Sequence, residues 1–337
     1  MSSNHRALVV GEALVDIRID ERGAAPSVAE HPGGSPLNIA VGMARLGVHT
    51  TLAVQIGDDA RGDAIARHVA ASGVELLRLS PQRATSTATA TIGPSGAATY
   101  DFELAWDPDR LPDPAGFALI HVGSIGAALA PGADRVAELV ATAGAAGVPV
   151  SLDPNVRPGI TPDLDDVRRR CDLLARGATI VKLSDEDAEA VWPGTALSQV
   201  ARDLAALPGV RLAVVTLGGE GLLLDNGFET VTVTAPSVEV ADTIGAGDTV
   251  MAALLAALLR HDLLAPAAAS EGRVSTPEAT SSGGSAHDNP PMIGVGGLEW
   301  LGELAVNAAA ITCSRPGADP PWSSELPAVD TGPPGGA

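Results

Sequence analysis

Short apolar runs rich in β-forming residues alternate along this chain with longer stretches of helical spacing. Such alternation is typical of βαβ units and a mainly parallel sheet. The pattern therefore predicts an α/β fold, a three-layer αβα sandwich with a mostly parallel central sheet. Core strands are predicted at 7–10, 51–56, 119–122, 148–152, 179–183 and 212–216. Helices are predicted at 36–46, 59–71, 134–145, 163–175, 197–207, 246–259 and 298–312.

Residues 85–104 follow a different pattern, in which Thr-rich alternation surrounds a turn at Gly93, Pro94, Ser95 and Gly96. This pattern predicts a β-hairpin. Together with a strand at about 12–20, the hairpin predicts a small sheet outside the main core. Placed over the carboxyl ends of the parallel strands, that sheet could close over a ligand as a lid.

Two segments lack any apolar period. Residues 265–297 are rich in Ala, Ser, Gly, Pro and Thr, which predicts a solvated, poorly ordered insertion between two helices, and residues 328–337 form a similarly loose tail. The expected organisation is a single domain over 1–327 that carries this insertion.

Composition and charge exclude several classes of protein. The chain is 45% hydrophobic but only 2% aromatic, so Ala, Val, Leu and Ile must build the core. A net charge of −20 repels nucleic acid and anionic lipid, so we expect neither as a partner. Cys171 and Cys313 show neither metal spacing nor a disulfide framework. Without a signal peptide or a long apolar stretch, a cytoplasmic location is expected.

The strongest motif is residues 242–249, Asp-Thr-Ile-Gly-Ala-Gly-Asp-Thr, directly before an apolar helix. Small residues at Gly245, Ala246 and Gly247 expose backbone N–H groups at a helix N-terminus, which predicts an anion hole for phosphate. Asp248 is then placed to take a proton from an alcohol beside that phosphate. Taken alone, an aspartate at position 248 is more often a helix cap.

A second glycine motif, Gly33-Gly34-Ser-Pro-Leu-Asn38, spans the start of the helix predicted at 36–46. The glycines permit close approach, and the Asn38 amide can bind sugar hydroxyls. Asp16 follows the first strand, at the edge where α/β proteins bind ligands, and can hold two vicinal hydroxyls. An ordinary helix start and a surface carboxylate are the competing interpretations.

Three further strand ends carry polar or glycine-rich segments: 153–157, 182–187 and 216–221. Glycines in the last segment expose N–H groups suited to a nucleotide, or form a plain hairpin turn. Arg157 and Lys182 offer positive charge, while Glu186 and Asp187 can hold metal-bound water. For Lys182, a structural ion pair is an equal alternative.

With these motifs, the chain resembles the ribokinase-like carbohydrate kinases, also called the PfkB family. The resemblance covers nearly the whole chain outside the insertion and tail, and it is greatest to the bacterial fructokinase branch through residues 11–16, 153–157, 182–186 and 312–318. It implies an ATP-dependent sugar kinase with Mg²⁺ as cofactor and fructose as the favoured sugar. It also implies a homodimer, while activation by a monovalent cation stays open.

The resemblance implies a role for each matched residue. Asp248 becomes the catalytic base, and Gly245, Ala246 and Gly247 the anion hole. The sugar site comprises Asp16, Gly33, Gly34, Asn38, Asn155 and Arg157. The nucleotide site comprises Lys182, Ser184, Thr216, Gly218, Gly221, Gly247 and Asn307, the last near adenine. Asp187 stands where the family has Glu, which shortens its reach to a metal-bound water.

Other functions remain open. A kinase of the same family for 2-keto-3-deoxygluconate, ribose or a nucleoside would carry the same motifs. A catalytically silent regulator that binds sugar or nucleotide would keep the fold, although an intact Asp248 and glycine loop argue against it. The choice among these depends on substrate assays.

Overall fold

The computed structural model describes residues 6–23, 25–81, 83–264 and 293–333, and within them the strands form two separate sheets. The large sheet contains β1 (Arg6–Gly11), β4 (His49–Gln55), β5 (Glu75–Leu79), β8 (Leu119–Gly123), β9 (Val150–Asp153), β10 (Ile180–Ser184), β11 (Leu212–Thr216), β12 (Leu222–Asp225) and β13 (Thr230–Val233). The small sheet contains β2 (Leu14–Asp20), β3 (Ser27–Gly33), β6 (Ser86–Ile92) and β7 (Ala98–Glu103).

The large sheet has the strand order β13-β12-β11-β10-β9-β8-β1-β4-β5. Every neighbouring pair from β11 to β5 is parallel, whereas β12 and β13 extend the sheet as an antiparallel edge. In β1, Val9 joins the core on one face while Leu8 and Val10 join the core on the other. Burial on both faces explains why this strand is a continuous apolar run.

The helices lie on both faces of the large sheet. They are α1 (Ser35–Arg45), α2 (Ala60–Ala70), α3 (Ser124–Ala128), α4 (Gly132–Ala145), α5 (Leu164–Arg176), α6 (Asp185–Val191), α7 (Leu197–Ala205), α8 (Ala246–Arg260), α9 (Val295–Cys313) and α10 (Ala328–Thr331). Helices α1, α2, α8 and α9 supply the core on one face, and α4, α5 and α7 the core on the other. The predicted three-layer sandwich is confirmed.

The small sheet has the order β3-β2-β6-β7 and shares no strand with the large one. It begins where β1 ends, because only Glu12 and Ala13 separate β1 from β2. The sheet therefore starts at the carboxyl edge of the parallel strands. This is the small lid sheet expected from the hairpin and the strand after β1.

Three strands of the structure, β3, β5 and β13, were not predicted, whereas β12 pairs antiparallel with β11, as the alternative interpretation of 216–221 as a hairpin turn predicts. β3 carries a proline and several polar residues, and five of its seven positions are exposed, so no alternation marks it. β5 and β13 are short edge strands. Their sequences therefore lack the long apolar run of a central strand.

The two segments predicted to be loose are also partly structured. The tail begins with α10, whose Val329 is fully buried, and α9 starts inside the predicted insertion at Val295. Residues 265–292 and 334–337, which make up most of the rest of both segments, lie outside the described part of the chain.

Candidate active site

The turn before α8 is built around Gly245, which has a φ of 76° in the left-handed region. A side chain there would be strained, and its Cβ would lie 2.6 Å from the Cβ of Ala318. The same Cβ position is 3.9 Å from the Asn38 amide nitrogen, so the turn lies directly beside α1. A glycine is thus required for conformation and for packing.

Asp242 holds this turn in place. Its Oδ1 accepts the N–H of Ile244 at 3.0 Å, and its Oδ2 accepts the N–H of Gly317 at 2.9 Å. These backbone hydrogen bonds keep the pKa of Asp242 below its ordinary value. One carboxylate therefore joins the turn to the segment after α9.

Asp248 lies in the first turn of α8 and is 9% exposed. Its Oδ1 accepts the Ser35 hydroxyl at 2.6 Å, and its Oδ2 accepts the Asn38 amide at 2.8 Å. The start of α1 thus fixes the orientation of the carboxylate, and only a small part of Asp248 remains exposed. The contact brings two motifs together that are more than 200 positions apart along the chain, at separations of 213 and 210 residues.

Ser35 is a contact that sequence reasoning missed. It lies between the predicted residues Gly34 and Asn38, and it precedes a proline in the first turn of a helix. A serine there reads as a helix-start residue. Only the tertiary pairing of α1 with α8 reveals that its hydroxyl faces the carboxylate of Asp248.

The double glycine before α1 allows three segments to approach one another. Gly34 has a φ of 111°, and a Cβ on it would lie 2.9 Å from the carbonyl oxygen of Glu12. A Cβ on Gly33 would lie 2.1 Å from the Asp16 Oδ2, so the Asp16 carboxylate rests against this turn. Asp16, Asn38 and Asp248 therefore border one region at the carboxyl edge of the large sheet.

The surroundings of Asp16 affect its charge. The side chain reaches solvent, but the surrounding protein raises the pKa of Asp16, and the nearby His31 opposes that rise. The carboxylate stands at an open side of the site, where it can meet hydroxyl groups.

Lys182 is a buried ion-pair partner rather than an exposed cation. Its Nζ lies 2.8 Å from Oδ2 of Asp153, and both side chains are almost fully buried. Burial lowers the pKa of Lys182, but the charge and hydrogen bond of Asp153, together with the charges of Asp187 and Asp248, raise that pKa overall. The Nζ also lies 3.0 Å from where a Cβ on Gly247 would stand. Positive charge thus lies directly under the turn that opens α8.

Asp153 and His121 extend this buried polar layer beneath the turn. Burial raises the pKa of Asp153 to about 6 and lowers that of His121 to about 3, so His121 is neutral at pH 7. The His121 Nδ1 is 2.9 Å from the Ser151 hydroxyl. Among the described residues, Asp153 Oδ1 has no hydrogen-bond partner. Asp153 begins the polar segment 153–157 of the sequence analysis, which predicted no role for this residue.

Asp187 links two loops through the backbone. Its Oδ1 accepts the N–H of Val156 at 2.7 Å, and its Oδ2 accepts the N–H of Ser184 at 2.9 Å. Ser184 returns the contact by accepting the N–H of Asp187 at 3.0 Å, which caps α6. The water-mediated metal role of Asp187 stays a prediction, with both oxygens already engaged.

The loop after β11 forms a 3-10 turn, Gly218–Glu220, at the same edge of the sheet. Gly218 has a φ of 54°, and the space where its side chain would stand is open. Gly221 has a φ of 117°, and a Cβ on it would lie 1.9 Å from the carbonyl oxygen of Val233. Gly221 is therefore required for packing against β13, while Thr216 is half-buried and Gly218 is exposed.

The remaining predicted residues are less tightly held. Asn155 adopts a φ of 42°, and Arg157 is exposed, with its Nη1 donating to the carbonyl of Val156 at 3.0 Å. Both line a shallow pocket beside α3 and α5. Asn307 is exposed and donates to the carbonyl of Glu303 at 2.8 Å. Ligand contacts for these three residues stay predictions.

Glu12 is a buried carboxyl group that sequence reasoning did not single out. Its Oε2 accepts the N–H of Gly126 at 2.9 Å, and Ser124 also donates to it. Burial raises the pKa of Glu12 to about 7 from 4.5. This side chain joins the end of β1 to α3 at the floor of the site.

Neither a protein-built metal cluster nor a membrane span emerges from the described residues. The described residues contain no group of three or more His, Cys, Asp or Glu side chains that could hold a metal ion. Among the helices described, none combines the length and the apolar character needed to cross a membrane.

Comparison with known proteins identifies the class. The fold is shared with sugar kinases of known structure, including a fructokinase with bound ATP from Xylella fastidiosa: TM-score 0.76, 22% identity, 97% of this chain and 98% of that one. A family model described as pfkB family carbohydrate kinase matches residues 4–325. The chain belongs to this family of carbohydrate kinases, as its motifs predicted.

Two further relatives carry the name fructokinase. The fructokinase of Rhizobium leguminosarum bv. trifolii is 33% identical over 275 residues, which cover 76% of this chain and 81% of the relative. A fructokinase of Vibrio cholerae O395, in a form with fructose, ADP and calcium ion bound, has a TM-score of 0.71, 22% identity and 93% and 94% coverage of this chain and that one.

Proposed function

We propose that this carbohydrate kinase transfers the γ-phosphoryl group of ATP to a hydroxyl of fructose. The observation that carries the proposal is the position of Asp248. Its carboxylate is held by Ser35 and Asn38 at the start of α8, next to the glycine turn at Gly245. A base fixed beside backbone N–H groups suits proton removal during phosphoryl transfer.

In this reaction the protein mainly positions the reactants and neutralises negative charge. Asp16 and Asn38 hold sugar hydroxyls, and Asp248 takes the proton of the attacking hydroxyl. The N–H groups of the turn that opens α8 stabilise negative charge on the phosphoryl group. Lys182, buried under Gly247 and paired with Asp153, adds positive charge from below.

A divalent cation fits this arrangement when the nucleotide brings most of its ligands. The described residues offer no cluster of three metal ligands, but Asp153 Oδ1 is a buried carboxylate oxygen without a hydrogen-bond donor among them. If Mg²⁺ binds together with the nucleotide, the Asp153 carboxylate is the protein group that we propose would help to hold it. When bound with ATP, Mg²⁺ neutralises phosphate charge. Hard cations prefer such oxygen ligands.

Fructose is the proposed substrate because the relatives at about a third identity are named fructokinases.

The test is ADP release by the full chain with ATP, Mg²⁺ and a panel of D-fructose, D-ribose, 2-keto-3-deoxygluconate and adenosine. We expect the highest kcat/KM with D-fructose. A higher value with another compound contradicts the fructokinase assignment and leaves the kinase class intact. Sugar binding by calorimetry without any ADP release would instead indicate a silent binding protein.

A further inference from the structure

The chain at the end of β1, Gly11 and Glu12, passes between α1 and α3 with almost no free space. On the α1 side, a Cβ on Gly11 would lie 2.4 Å from Cγ of Pro36. On the α3 side, a Cβ on Gly126 would lie 2.6 Å from the Cα of Gly11. Closely packed protein interiors have low compressibility and transmit strain. A shift of α3 would therefore be passed through this segment to the start of α1.

The side chain of Glu12 contacts the α3 side of this passage. It is buried, its Oε2 accepts the N–H of Gly126 at 2.9 Å, and the Ser124 hydroxyl donates to the same carboxyl group. Ser124 has a φ of 51°, a left-handed conformation that is unfavourable for a residue other than glycine. Residues held in such conformations are concentrated at functional sites. The hydrogen bond to Glu12 is thus made to a strained residue at the start of α3.

The backbone of Glu12 contacts the α1 side. Its carbonyl oxygen would lie 2.9 Å from a Cβ on Gly34, which is the N-cap residue of α1. The next residue, Ser35, donates to Asp248 at 2.6 Å. Burial is the main cause that raises the pKa of Glu12, and the charge of Asp248 adds to the rise, so the two carboxyl groups lie near each other.

We propose that Glu12 is a positioning residue for phosphoryl transfer, because it ties α3 to the turn at Gly34. Through that turn it sets the alignment of Ser35 and Asn38 with the catalytic carboxylate. A displacement of about 1 Å near the reacting groups can lower a rate about 10²-fold, so a small shift of the turn is enough. This inference rests on the proposed kinase function.

Two substitutions weaken this tie from different ends. Glu12→Ala removes the carboxyl group, and Ser124→Ala removes one hydroxyl that donates to it. The full chain is assayed by ADP release with whichever panel compound gives the wild type its highest kcat/KM. We expect kcat to fall at least about tenfold in Glu12→Ala and about threefold in Ser124→Ala, while KM for ATP changes less than about twofold. Glu12→Gln keeps an acceptor for the N–H of Gly126 and should recover most of the lost kcat.

Asp225 provides a matched control. It is also a buried carboxyl group, and it accepts one backbone N–H, from Gly227 at 2.8 Å, and one hydroxyl, from Thr230 at 2.6 Å. Because β12 is antiparallel to β11, Asp225 pairs with Ala213 near the start of β11, at the edge of the sheet away from the site. Asp225→Ala should lower the unfolding temperature, as Glu12→Ala does, but keep kcat within about twofold of the wild type.

A double variant tests the route by which Glu12 acts. If Glu12 aligns Ser35 with Asp248, then Ser35→Ala already removes part of what Glu12 provides. The loss of kcat in Glu12→Ala/Ser35→Ala should therefore be smaller than the product of the two single losses. A loss equal to that product would overturn the inference.

Hydrogen exchange of the free protein separates this inference from the proposed function, because it needs no substrate. Peptides that cover residues 33–38 should exchange faster in Glu12→Ala than in the wild type, and at the wild-type rate in Asp225→Ala. If they do so while no panel compound releases ADP, the kinase proposal fails and the tie through Glu12 stands. Unchanged exchange in Glu12→Ala, unchanged kcat, or an equal loss of kcat in Asp225→Ala or Glu12→Gln each show that the inference is wrong.

Discussion

At the scale of single residues, Asp248 offers the sharpest test of the chemistry. Asp248→Asn keeps the size of the side chain but removes its ability to take a proton. We expect kcat to fall at least about 10²-fold, while KM for sugar and ATP changes little. Steady-state ADP release measures both constants, and thermal unfolding checks that the variant is folded.

A merely structural role for Asp248 predicts a different result. A carboxylate in the first turn of a helix stabilises that helix by only about 0.3–1 kcal/mol, so its loss would lower stability slightly and leave kcat near the wild-type value. Ser35→Ala is the matched comparison, because it removes one hydrogen bond to the same carboxylate. Its kcat should fall only about fivefold, the effect of about 1 kcal/mol.

At the scale of elements, the start of α8 depends on a backbone conformation. Gly245→Ala places a Cβ where φ is 76° and where Ala318 lies within 2.6 Å. We expect the free energy of unfolding to fall by about 2 kcal/mol or more and kcat/KM to fall with it, because the anion-hole turn must shift. Urea unfolding and the ADP assay measure the two effects.

Gly219→Ala is the control for this substitution. Gly219 lies in the 3-10 turn after β11, and open space surrounds the position of its missing side chain. The free energy of unfolding of the Gly219→Ala variant should stay within about 0.5 kcal/mol of the wild-type value. Equal losses in both variants would show that glycine content, rather than the turn at Gly245, sets the stability.

The link between β1 and α3 makes stability depend on pH through Glu12. Burial raises its pKa from 4.5 to about 7, so the folded protein binds this proton more tightly than the unfolded chain does. Between these two values, rising pH therefore favours the unfolded state, and the loss is complete above about pH 7. A raised pKa of this size corresponds to about 3 kcal/mol.

Glu12→Gln removes this titration while keeping an acceptor for the N–H of Gly126. Relative to the wild type, the free energy of unfolding of the variant should rise by about 3 kcal/mol between pH 4.5 and pH 8. Urea unfolding at several pH values measures the difference, in which the titration of Asp153 cancels because both proteins contain it. A difference that does not change with pH would rule out Glu12 as the titrating group.

Sequence patterns predicted the central strands and helices and the motif residues, but not the contacts between them. Buried strands such as β1 and β11 are continuous apolar runs, so they were predictable. The turns before α1 and α8 were predictable because glycine-rich motifs mark them. The Ser35–Asp248 contact and the Lys182–Asp153 pair join residues far apart in the chain, and no local pattern encodes them. The exposed strand β3 lacks an apolar period because most of it faces solvent.

At the scale of the whole molecule, a net charge of −20 surrounds a site proposed to bind an anion. Positive charge at the site is local, as the buried Lys182 beneath Gly247 shows. Backbone N–H groups add partial charges that act only at short range. Long-range approach of ATP is therefore opposed by the protein surface, while binding at contact distance is favoured.

Salt separates these two contributions. Because the Debye length falls from about 30 Å at 0.01 M to about 8 Å at 0.15 M, added salt screens the repulsion at long range more than the contacts inside the site. We expect kcat/KM for ATP to rise about two- to fivefold between these ionic strengths. Choline chloride sets the ionic strength, so that a small monovalent cation is not added at the same time. A fall in kcat/KM over this range would show that attraction by the site itself dominates the approach of ATP.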